Sequence, residues 1–327
     1  MTLNRRQFLS GVLAVGLAGC AGRASQPVAD ATAAGNGNVP IIDTHQHLWD
    51  LKQFRLPWLD SAGPRLNRNY TLADYERAVE GLNLVKAVYE EVAVTPDQRS
   101  AEADYVAELC RSRRSRTVAA VIGGDVASEG FEKYIRRFEG SPYIKGVRSG
   151  YRRSAYNDPG FVRGVNLLGD LGMVYDLGAG SDLLADAAKL AAACPKTRVV
   201  VNHCGNPNVK WFAESAATDE RMRGARAKWE EGIARLAEHP NVICKISGVA
   251  ESGDDGQVTA ATVAPAVNYC LDHFGDNRVV FASNWPVCLK TISLAGWVGV
   301  LKEVVAPRGT AFSRKLFCGN ATRVYGL

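Results

Sequence analysis

The sequence predicts one (β/α)₈ barrel over residues 39–327, preceded by an N-terminal leader and a linker. From Val39 onward, short runs rich in Val and Ile alternate with longer amphipathic stretches. Continuous apolar runs of this kind are typical of parallel strands that are buried on both faces. Eight such runs can be counted, which is the number that closes a barrel. A doubly wound open sheet would carry a glycine-rich fingerprint after its first strand, and the sequence has none there.

The strands and helices are assigned in order along the chain from these patterns. The strands are predicted at Ile41–Leu48, Val85–Val92, Thr117–Val126, Ile144–Gly150, Met173–Gly178, Arg198–His203, Val242–Gly248 and Val279–Ser283. The clearest helices are predicted at Leu72–Leu82, Ser100–Arg113 and Met222–Glu238. In the last helix, Trp229, Ile233 and Leu236 recur at helical spacing among charged residues, which indicates one apolar face.

Residues 1–20 have the pattern of an export signal. Arg5 and Arg6 precede a short apolar run, Gly11–Gly19, in the order typical of twin-arginine signals. This run is far shorter than the roughly 20 apolar residues that span a membrane. The region ends in Leu-Ala-Gly followed by Cys20, which resembles a lipobox, so Cys20 is the predicted lipidation site. The alternative is an ordinary signal peptide that is cleaved after a small residue.

Residues 21–38 are predicted to form a flexible linker. They are mostly small and polar, with hardly any large apolar side chain, so they cannot bury enough surface to offset the entropy of ordering. The expected domain boundaries are therefore 1–20, 21–38 and 39–327. We expect export by the twin-arginine route, a periplasmic location, and contact with a membrane only through a lipid on Cys20.

The composition is that of an ordinary globular protein that can bury a large core. Hydrophobic residues make up 46%, charged residues 22%, and the formal net charge is +5. No basic stripe is interleaved with aromatic residues, so a small molecule is the expected partner and nucleic acid is not. Eight cysteines without a CxxC pair do not form the disulfide framework of a short secreted domain. Cys204, Cys244 and Cys288 are expected to be small buried hydrophobic residues.

Chemistry in a barrel of this type takes place at the carboxyl ends of the strands, so the residues there are the first candidates. Strand one ends with His45 and His47, and alternation along a strand turns both side chains the same way. Two converging imidazoles suit a divalent metal or a developing oxyanion. His203 is expected at the same mouth, at the end of strand six. His239 and His273 are expected at the surface near helix ends.

Charged residues end strands two and four. Glu90 and Glu91 follow an apolar run, and at least one of them must reach the mouth or solvent because a buried carboxylate is costly. Alternation leaves open which of the two faces inward. Arg148 ends strand four and is a candidate clamp for a substrate carboxylate, with a structural ion pair as the alternative.

Together these strand ends resemble the amidohydrolase-related superfamily, and within it the metal-dependent barrel hydrolases that include sugar-lactone and muconolactone-type lactonases. The resemblance spans residues 39–327 and is carried, in order, by Ile42–Asp50, Lys145–Arg148, Val201–Pro207, Cys244–Gly248 and Phe281–Val287. It implies three site histidines and three substrate-binding residues, namely His45, His47, His203, Trp49, Arg148 and Trp285.

Asn284 is the main departure from the superfamily pattern. Much of the superfamily has an aspartate at this position, which binds metal and acts as the general base, whereas an amide has no basic carboxylate and is a poor metal ligand. The resemblance implies a catalytic set of His45, His47 and His203, with Asn284 in the aspartate's place. The substitute carboxylate is expected at Glu90 or Glu91, with Glu91 as the first candidate. A divalent metal, first of all zinc, is expected at His45 and His47, with His203 and Glu91 as further ligands. A metal-free reaction, in which histidines and arginine polarise the ester, is the alternative.

The expected activity is hydrolysis of a small lactone, sugar-derived or carboxylated, with Glu90 or Glu91 activating water. A lactone that is intrinsically reactive could also be opened without a strong base. The alternatives on the same barrel are an amide hydrolase, a decarboxylase, or a lipid-anchored binding protein that has lost its base.

Overall fold

The structure is a computed structural model, and it describes residues 39–327. The predicted leader with Cys20 and the predicted linker at 21–38 lie outside the described residues. Within the described part of the chain, no helix is both long enough and apolar enough to cross a membrane.

Eight parallel strands pair in chain order to form one sheet, which confirms the predicted barrel. The strands are β1 (Ile41–Gln46), β2 (Leu84–Glu90), β3 (Thr117–Gly123), β4 (Ile144–Gly150), β5 (Val174–Gly178), β6 (Arg198–Val201), β7 (Val242–Ile246) and β8 (Val279–Phe281). Each matches one of the apolar runs in the sequence. The eight carboxyl ends therefore meet at one mouth of the barrel.

One α-helix lies between each pair of strands, one follows β8, and two short helices end the chain. The helices are α1 (Leu72–Ala78), α2 (Arg99–Ser112), α3 (Phe131–Ile135), α4 (Pro159–Asp170), α5 (Leu184–Ala193), α6 (Glu220–Ala237), α7 (Ala260–Phe274), α8 (Leu294–Val305), α9 (Gly309–Arg314) and α10 (Asn320–Tyr325). Helices α2 and α6 agree closely with the prediction. Helix α1 ends earlier than predicted, ahead of Gly81, whose φ of 77° is left-handed and ends the helical segment.

The sheet closes where β1 meets β8. The hydroxyl of Thr44 donates a hydrogen bond of 2.7 Å to the carbonyl of Phe281. The carboxylate of Asp43 accepts hydrogen bonds from the backbone N–H of Ser283 at 2.8 Å and from its hydroxyl at 2.6 Å. The hydroxyl of Tyr75 in α1 donates to the same carboxylate at 2.9 Å. Asp43 is completely buried, and these hydrogen bonds join β1 to the segment after β8 and to α1. Asp43 therefore stabilises the barrel where its first and last strands meet.

The interior of the barrel is filled in two layers. The lower layer is apolar and is closed from below by two residues of the C-terminal helix α10, Val324 and Tyr325. Its strand residues are Ile42, Val88, Val121, Val174, Val200, Ile243 and Val280. The upper layer lies two residues further along the strands and contains Glu90, Asp176 and Lys245, all completely buried. Side chains two residues apart on a strand face the same way, so the charged layer lies directly above the apolar one.

The carboxyl ends of several strands come earlier than the sequence predicts. Strand β6 ends at Val201, so the expectation that His203 lies on the strand is wrong. His203 and Cys204 have left-handed φ values of 57° and 52°, which cannot continue a β-ladder. Asn284 follows β8 with a φ of 55°. The direction of these side chains is therefore set by tight turns and not by strand alternation.

Candidate active site

A cavity of about 380 Å³ opens at the carboxyl ends of the strands, within the size range of small-molecule sites. Its wall is formed by His47, Trp58, Glu91, Val92, Ala93, Arg148, His203, Asn206, Gly248, Glu251, Asn284 and Val287. The cavity thus brings together five residues that the sequence singled out: His47, Glu91, Arg148, His203 and Asn284.

His45 lies beneath this cavity and hydrogen-bonds to His47 on its wall. The Nε2 atoms of the two rings are 3.0 Å apart. The ammonium group of Lys245 has only protons to donate, so the contact of 3.3 Å with His45 Nδ1 requires that Nδ1 accepts. His45 Nε2 therefore carries the proton and donates it to His47 Nε2. His47 Nδ1 in turn donates to the backbone carbonyl of Glu90 at 3.0 Å, so the tautomers of both rings are determined.

The three site histidines are neutral at pH 7. Burial, followed by the charge of Arg148, lowers the pKa of His47 to about 3. Burial and the nearby Lys245 lower the pKa of His45 well below its ordinary value, and burial and Arg148 do the same for His203. A neutral imidazole can donate or accept a hydrogen bond, but it supplies no positive charge to the cavity.

Lys245 carries the buried positive charge beneath the histidines. Its ammonium donates to Glu90 Oε2 at 2.8 Å and to Asp176 Oδ2, and the bond to His45 uses its third proton. Burial lowers the pKa of Lys245, but Asp176 and Glu90 outweigh burial and raise it above its ordinary value. Glu90 therefore forms a buried ion pair with Lys245, below the cavity floor.

Glu91, and not Glu90, faces the cavity, which answers the question that alternation left open. Arg148 Nη1 donates to Glu91 Oε1 at 3.1 Å, and the backbone N–H of Ala93 donates to Glu91 Oε2 at 2.6 Å. Burial lowers the pKa of Arg148, but Glu91 and Glu90 outweigh it, so the guanidinium stays charged. About a quarter of the Arg148 side chain is exposed, on the cavity side. Both oxygens of Glu91 are therefore already hydrogen-bonded.

Glu251 is a site residue that the sequence analysis missed. It lies on the cavity wall in a short 3₁₀ turn, Ala250–Ser252, after β7. Its Oε1 accepts a hydrogen bond of 2.8 Å from the amide Nδ2 of Asn284. Burial raises the pKa of Glu251 to about 7, although the Asn284 hydrogen bond lowers it in part. The only signal in the sequence was a carboxylate a few residues beyond strand seven.

Trp49 and Trp285 do not reach the cavity wall, contrary to the expectation that they contact substrate. Trp49 is 2% exposed and donates its indole proton to the carbonyl of Arg68, and its ring packs edge-on against Trp58. Trp285 is 1% exposed and packs against Tyr70 and Tyr75. Both indoles are held in the apolar layer outside the sheet, and Trp58 is the tryptophan that lines the cavity.

A turn after β7 supports His203 from below. Its Nδ1 lies 2.9 Å from the hydroxyl of Ser247. Gly248 follows with a left-handed φ of 69°, and a Cβ at this position would lie 2.2 Å from the Cβ of His203. Only glycine allows the β6 and β7 turns to approach this closely.

Among the described residues at the mouth, only two imidazoles, those of His45 and His47, are placed to bind one divalent cation together. The Nε2 atoms of His45 and His47 are close enough to share one ion, and both rings are neutral, as ligation requires. Among residues 39–327, the only three His, Cys, Asp or Glu ligand atoms within 4.8 Å of one another belong to a cysteine cluster. The expected completion of the site by His203 and Glu91 is therefore not assembled. The His203 ring packs against that of His45, with centroids 4.4 Å apart, but places no nitrogen within 4.8 Å of ligand atoms of both His45 and His47. Glu91 is turned towards Arg148. Zinc sites usually have at least three protein ligands, so this pair would hold the ion weakly.

The cysteine cluster consists of Cys204, Cys244 and Cys270, which are all buried and free. Their thiols have backbone carbonyls as acceptors: Cys204 donates to Lys245 at 3.7 Å, and Cys270 donates to Cys204 at 3.8 Å. These weak hydrogen bonds satisfy small core side chains. The expectation of burial is confirmed for Cys204 and Cys244, and also for Cys288.

The barrel and the cavity at its carboxyl end define a class of enzymes in which strand-end residues carry the chemistry. The amidohydrolase family profile matches residues 42–327, and the chain belongs to this family of hydrolases. An L-fucono-1,5-lactonase of Burkholderia multivorans is 29% identical over 298 residues, which cover 88% of this chain and 96% of that protein. An L-rhamnono-gamma-lactonase of Scheffersomyces stipitis is 23% identical, with 88% of this chain and 98% of that protein covered.

Solved structures confirm the fold. A crystal structure of an amidohydrolase from Burkholderia multivorans with bound HEPES has a TM-score of 0.75 at 25% identity, over 88% of this chain and 99% of that one. A crystal structure of an amidohydrolase from the same organism with bound zinc has the same TM-score at 24% identity, with the same coverage.

The contact between Gly248 and His203 leads to a prediction about stability and geometry. Gly248→Ala adds a methyl group that must displace His203, so we expect overpacking to cost about 1–3 kcal/mol beyond the strain of a left-handed alanine. Gly256→Ala is the matched control, because Gly256 has a φ of 74° and no atom within 4 Å of the added Cβ. Urea unfolding of both variants measures the difference, and a crystal structure of Gly248→Ala should show His203 moved. Equal unfolding free energies for the two variants would contradict the contact.

Proposed function

We propose that this hydrolase opens a small lactone, sugar-derived or carboxylated, by adding water to the ester carbonyl. The names of two relatives, an L-fucono-1,5-lactonase and an L-rhamnono-gamma-lactonase, support the substrate class. The size of the cavity, about 380 Å³, suits one monosaccharide-sized molecule.

The observation that carries this proposal is the chemistry of the cavity wall. Arg148 faces the same space as the neutral His47 and His203, while none of the described residues on the wall is Ser, Thr or Cys. Without a hydroxyl or thiol on the described wall, water is the nucleophile that we propose. A lactone suits such a site, because its ring oxygen leaves more readily than an amine.

Arg148 and His203 are the candidates for binding the substrate's oxygen atoms. The guanidinium of Arg148 presents several donors in a rigid fork, which suits a substrate carboxylate or the developing oxyanion. When the Ser247 hydroxyl donates to His203 Nδ1, His203 Nε2 carries its proton and can donate to the carbonyl oxygen. These donors are held in place before the substrate arrives, so little reorganisation is needed during the reaction.

A divalent cation such as zinc, when held by His45 and His47, would polarise the lactone carbonyl. Ligation requires His45 Nε2 to give up its proton to Nδ1, which then faces the ammonium of Lys245 at 3.3 Å. Binding of the cation and the Lys245–His45 hydrogen bond therefore exclude each other. We propose a weak, exchangeable site, and a reaction in which Arg148 and the histidines suffice.

The substrate proposal predicts hydrolysis of at least one lactone from a panel of sugar lactones with five- and six-membered rings, assayed by proton release. Arg148→Met removes the charged fork, so we expect kcat/KM to fall about 10²–10³-fold, the range found on removing an oxyanion donor. Arg152→Met is the control, because Arg152 is exposed and pairs with Asp158 outside the cavity. Turnover of an amide or an aryl carboxylate in the same panel, without lactone hydrolysis, would contradict the proposal.

The metal proposal predicts that Asn284→Asp tightens zinc binding. A carboxylate on the cavity wall adds the negative ligand that the pair of imidazoles lacks, so we expect affinity to rise at least about tenfold. Calorimetric titration of metal-stripped protein measures this. Asn277→Asp makes the same change of charge at an exposed position before β8, at the opposite end of the barrel, and should leave affinity unchanged. Wild-type protein that keeps stoichiometric zinc after dialysis against a chelator would show that the site is not weak.

We further propose that the protein is exported by the twin-arginine route and anchored through a lipid on Cys20, from the pattern of residues 1–20. Replacing Arg5 and Arg6 together with lysine should leave the precursor in the cytoplasm. Cys20→Ser should release the exported protein from membranes, as followed by cell fractionation and metabolic labelling with a fatty acid. A Cys20→Ser protein that still sediments with membranes would rule out the lipid anchor.

A further inference from the structure

The cavity contains two glutamates, and they differ in their partners. Glu91 gives one oxygen to Arg148 and the other to the backbone N–H of Ala93. Glu251 accepts hydrogen bonds from the neutral amide of Asn284 and from its own backbone N–H, and it forms no salt bridge within residues 39–327. A carboxylate held by a neutral donor keeps more of its basicity than one held by a guanidinium.

We propose that Glu251 is the general base that takes a proton from the attacking water, and that Asn284 is a positioning residue that holds its carboxylate. The inference rests on the proposed lactone hydrolysis. It assigns the base to the turn after β7, next to the β8 position where the superfamily pattern has its aspartate. Asn284 spans the gap between the two strands, because its Nδ2 lies 2.8 Å from Glu251 Oε1.

Local structure supports this placement. The 3₁₀ turn Ala250–Ser252 sets Glu251 on the wall between the turns that carry His203 and Asn284. The left-handed backbone of Asn284 lets its amide Nδ2 reach Glu251 Oε1 in the turn after β7. In this position an aspartate would face the Glu251 carboxylate at hydrogen-bond distance, and the two like charges would repel each other. An amide at residue 284 is therefore the complement of a glutamate at residue 251.

The proton balance of the step is complete without a co-reactant. Glu251 takes one proton from water as the water oxygen bonds to the lactone carbonyl carbon, and the oxyanion that forms is held by Arg148. The tetrahedral intermediate then collapses, the bond from carbon to ring oxygen breaks, and the ring oxygen receives the proton from Glu251. The product is a hydroxy acid, which releases its own proton to solvent, and Glu251 is again a carboxylate.

The ionisation of Glu251 suits this role. Burial raises its pKa to about 7, while the hydrogen bond from Asn284 and the charge of Lys290 lower it in part. General-base catalysis is most efficient when the pKa of the base lies near the working pH. The neighbouring histidines, including His47 with its pKa of about 3, do not titrate in this range.

The test is a carboxylate exchange, assayed with the best lactone of the panel in the presence of a chelator. Glu251→Gln should lower kcat about 10²–10⁴-fold with little change in KM, because the amide keeps the shape but not the basicity. Adding Asn284→Asp to this variant returns a carboxylate to the cavity and should recover part of the lost kcat. Asp254→Asn is the matched control, because Asp254 lies in the same loop, pairs with Lys210 and does not line the cavity.

The pH dependence of kcat/KM distinguishes a positioning role of Asn284 from a purely structural one. In the wild type, kcat/KM should rise with pH through about 7 as Glu251 loses its proton. Asn284→Leu removes a hydrogen bond that favours the charged carboxylate, so the rise should move to higher pH. A loss of activity at all pH values without such a shift would overturn the positioning role.

Two negative outcomes are distinguishable. If the wild type hydrolyses a lactone and Glu251→Gln keeps kcat within about threefold, the base is a different group and only this inference falls. If the wild type hydrolyses no lactone, the proposed function falls and takes this inference with it.

Discussion

The ammonium group of Lys245, held between Glu90 and Asp176, is the interaction on which the mouth of the barrel depends. It is buried at the axis, so replacing Lys245 with an apolar residue would leave its two carboxylate partners without a cation, at a typical cost of about 3–5 kcal/mol. Its third proton is donated to His45, which determines the tautomer of that ring and, through it, the tautomer of His47. The protonation pattern of the cavity floor is therefore set from below by structural charges.

This arrangement assigns each carboxylate near the mouth to a separate task. Asp43 holds the closure between β1 and β8, and Glu90 neutralises Lys245. Glu91 pairs with Arg148 and orients its guanidinium at the cavity. Of the two glutamates on the cavity wall, Glu251 is the one whose side-chain partner, Asn284, is neutral. An amide at position 284 thus goes together with a glutamate one strand away, at residue 251.

The weak metal site that we propose agrees with the way in which these carboxylates are used. Lys245 and Arg148 both lie close to the imidazoles and lower their pKa values. Glu90 and Glu91 are bound to these two cations, so neither carboxylate is free to complete a ligand set with the imidazoles. In the reaction that we propose, Arg148 polarises the substrate oxygen instead, because a guanidinium carries a permanent charge and needs no ligands to hold it.

The sequence by itself determined the barrel, the order of its strands and the mouth at which the chemistry lies. The period of apolar runs carries this information, and five of the predicted site residues do meet at one cavity because parallel strands share a carboxyl end. Only the tertiary structure decided that Glu91 and not Glu90 lines that cavity, that Trp49 and Trp285 are buried, and that Glu251 belongs to the site. Those outcomes depend on left-handed turns after the strands and on pairings between residues far apart in the chain. The local sequence pattern predicts neither the turns nor the pairings, because the partner of each side chain is determined only when the sheet has closed.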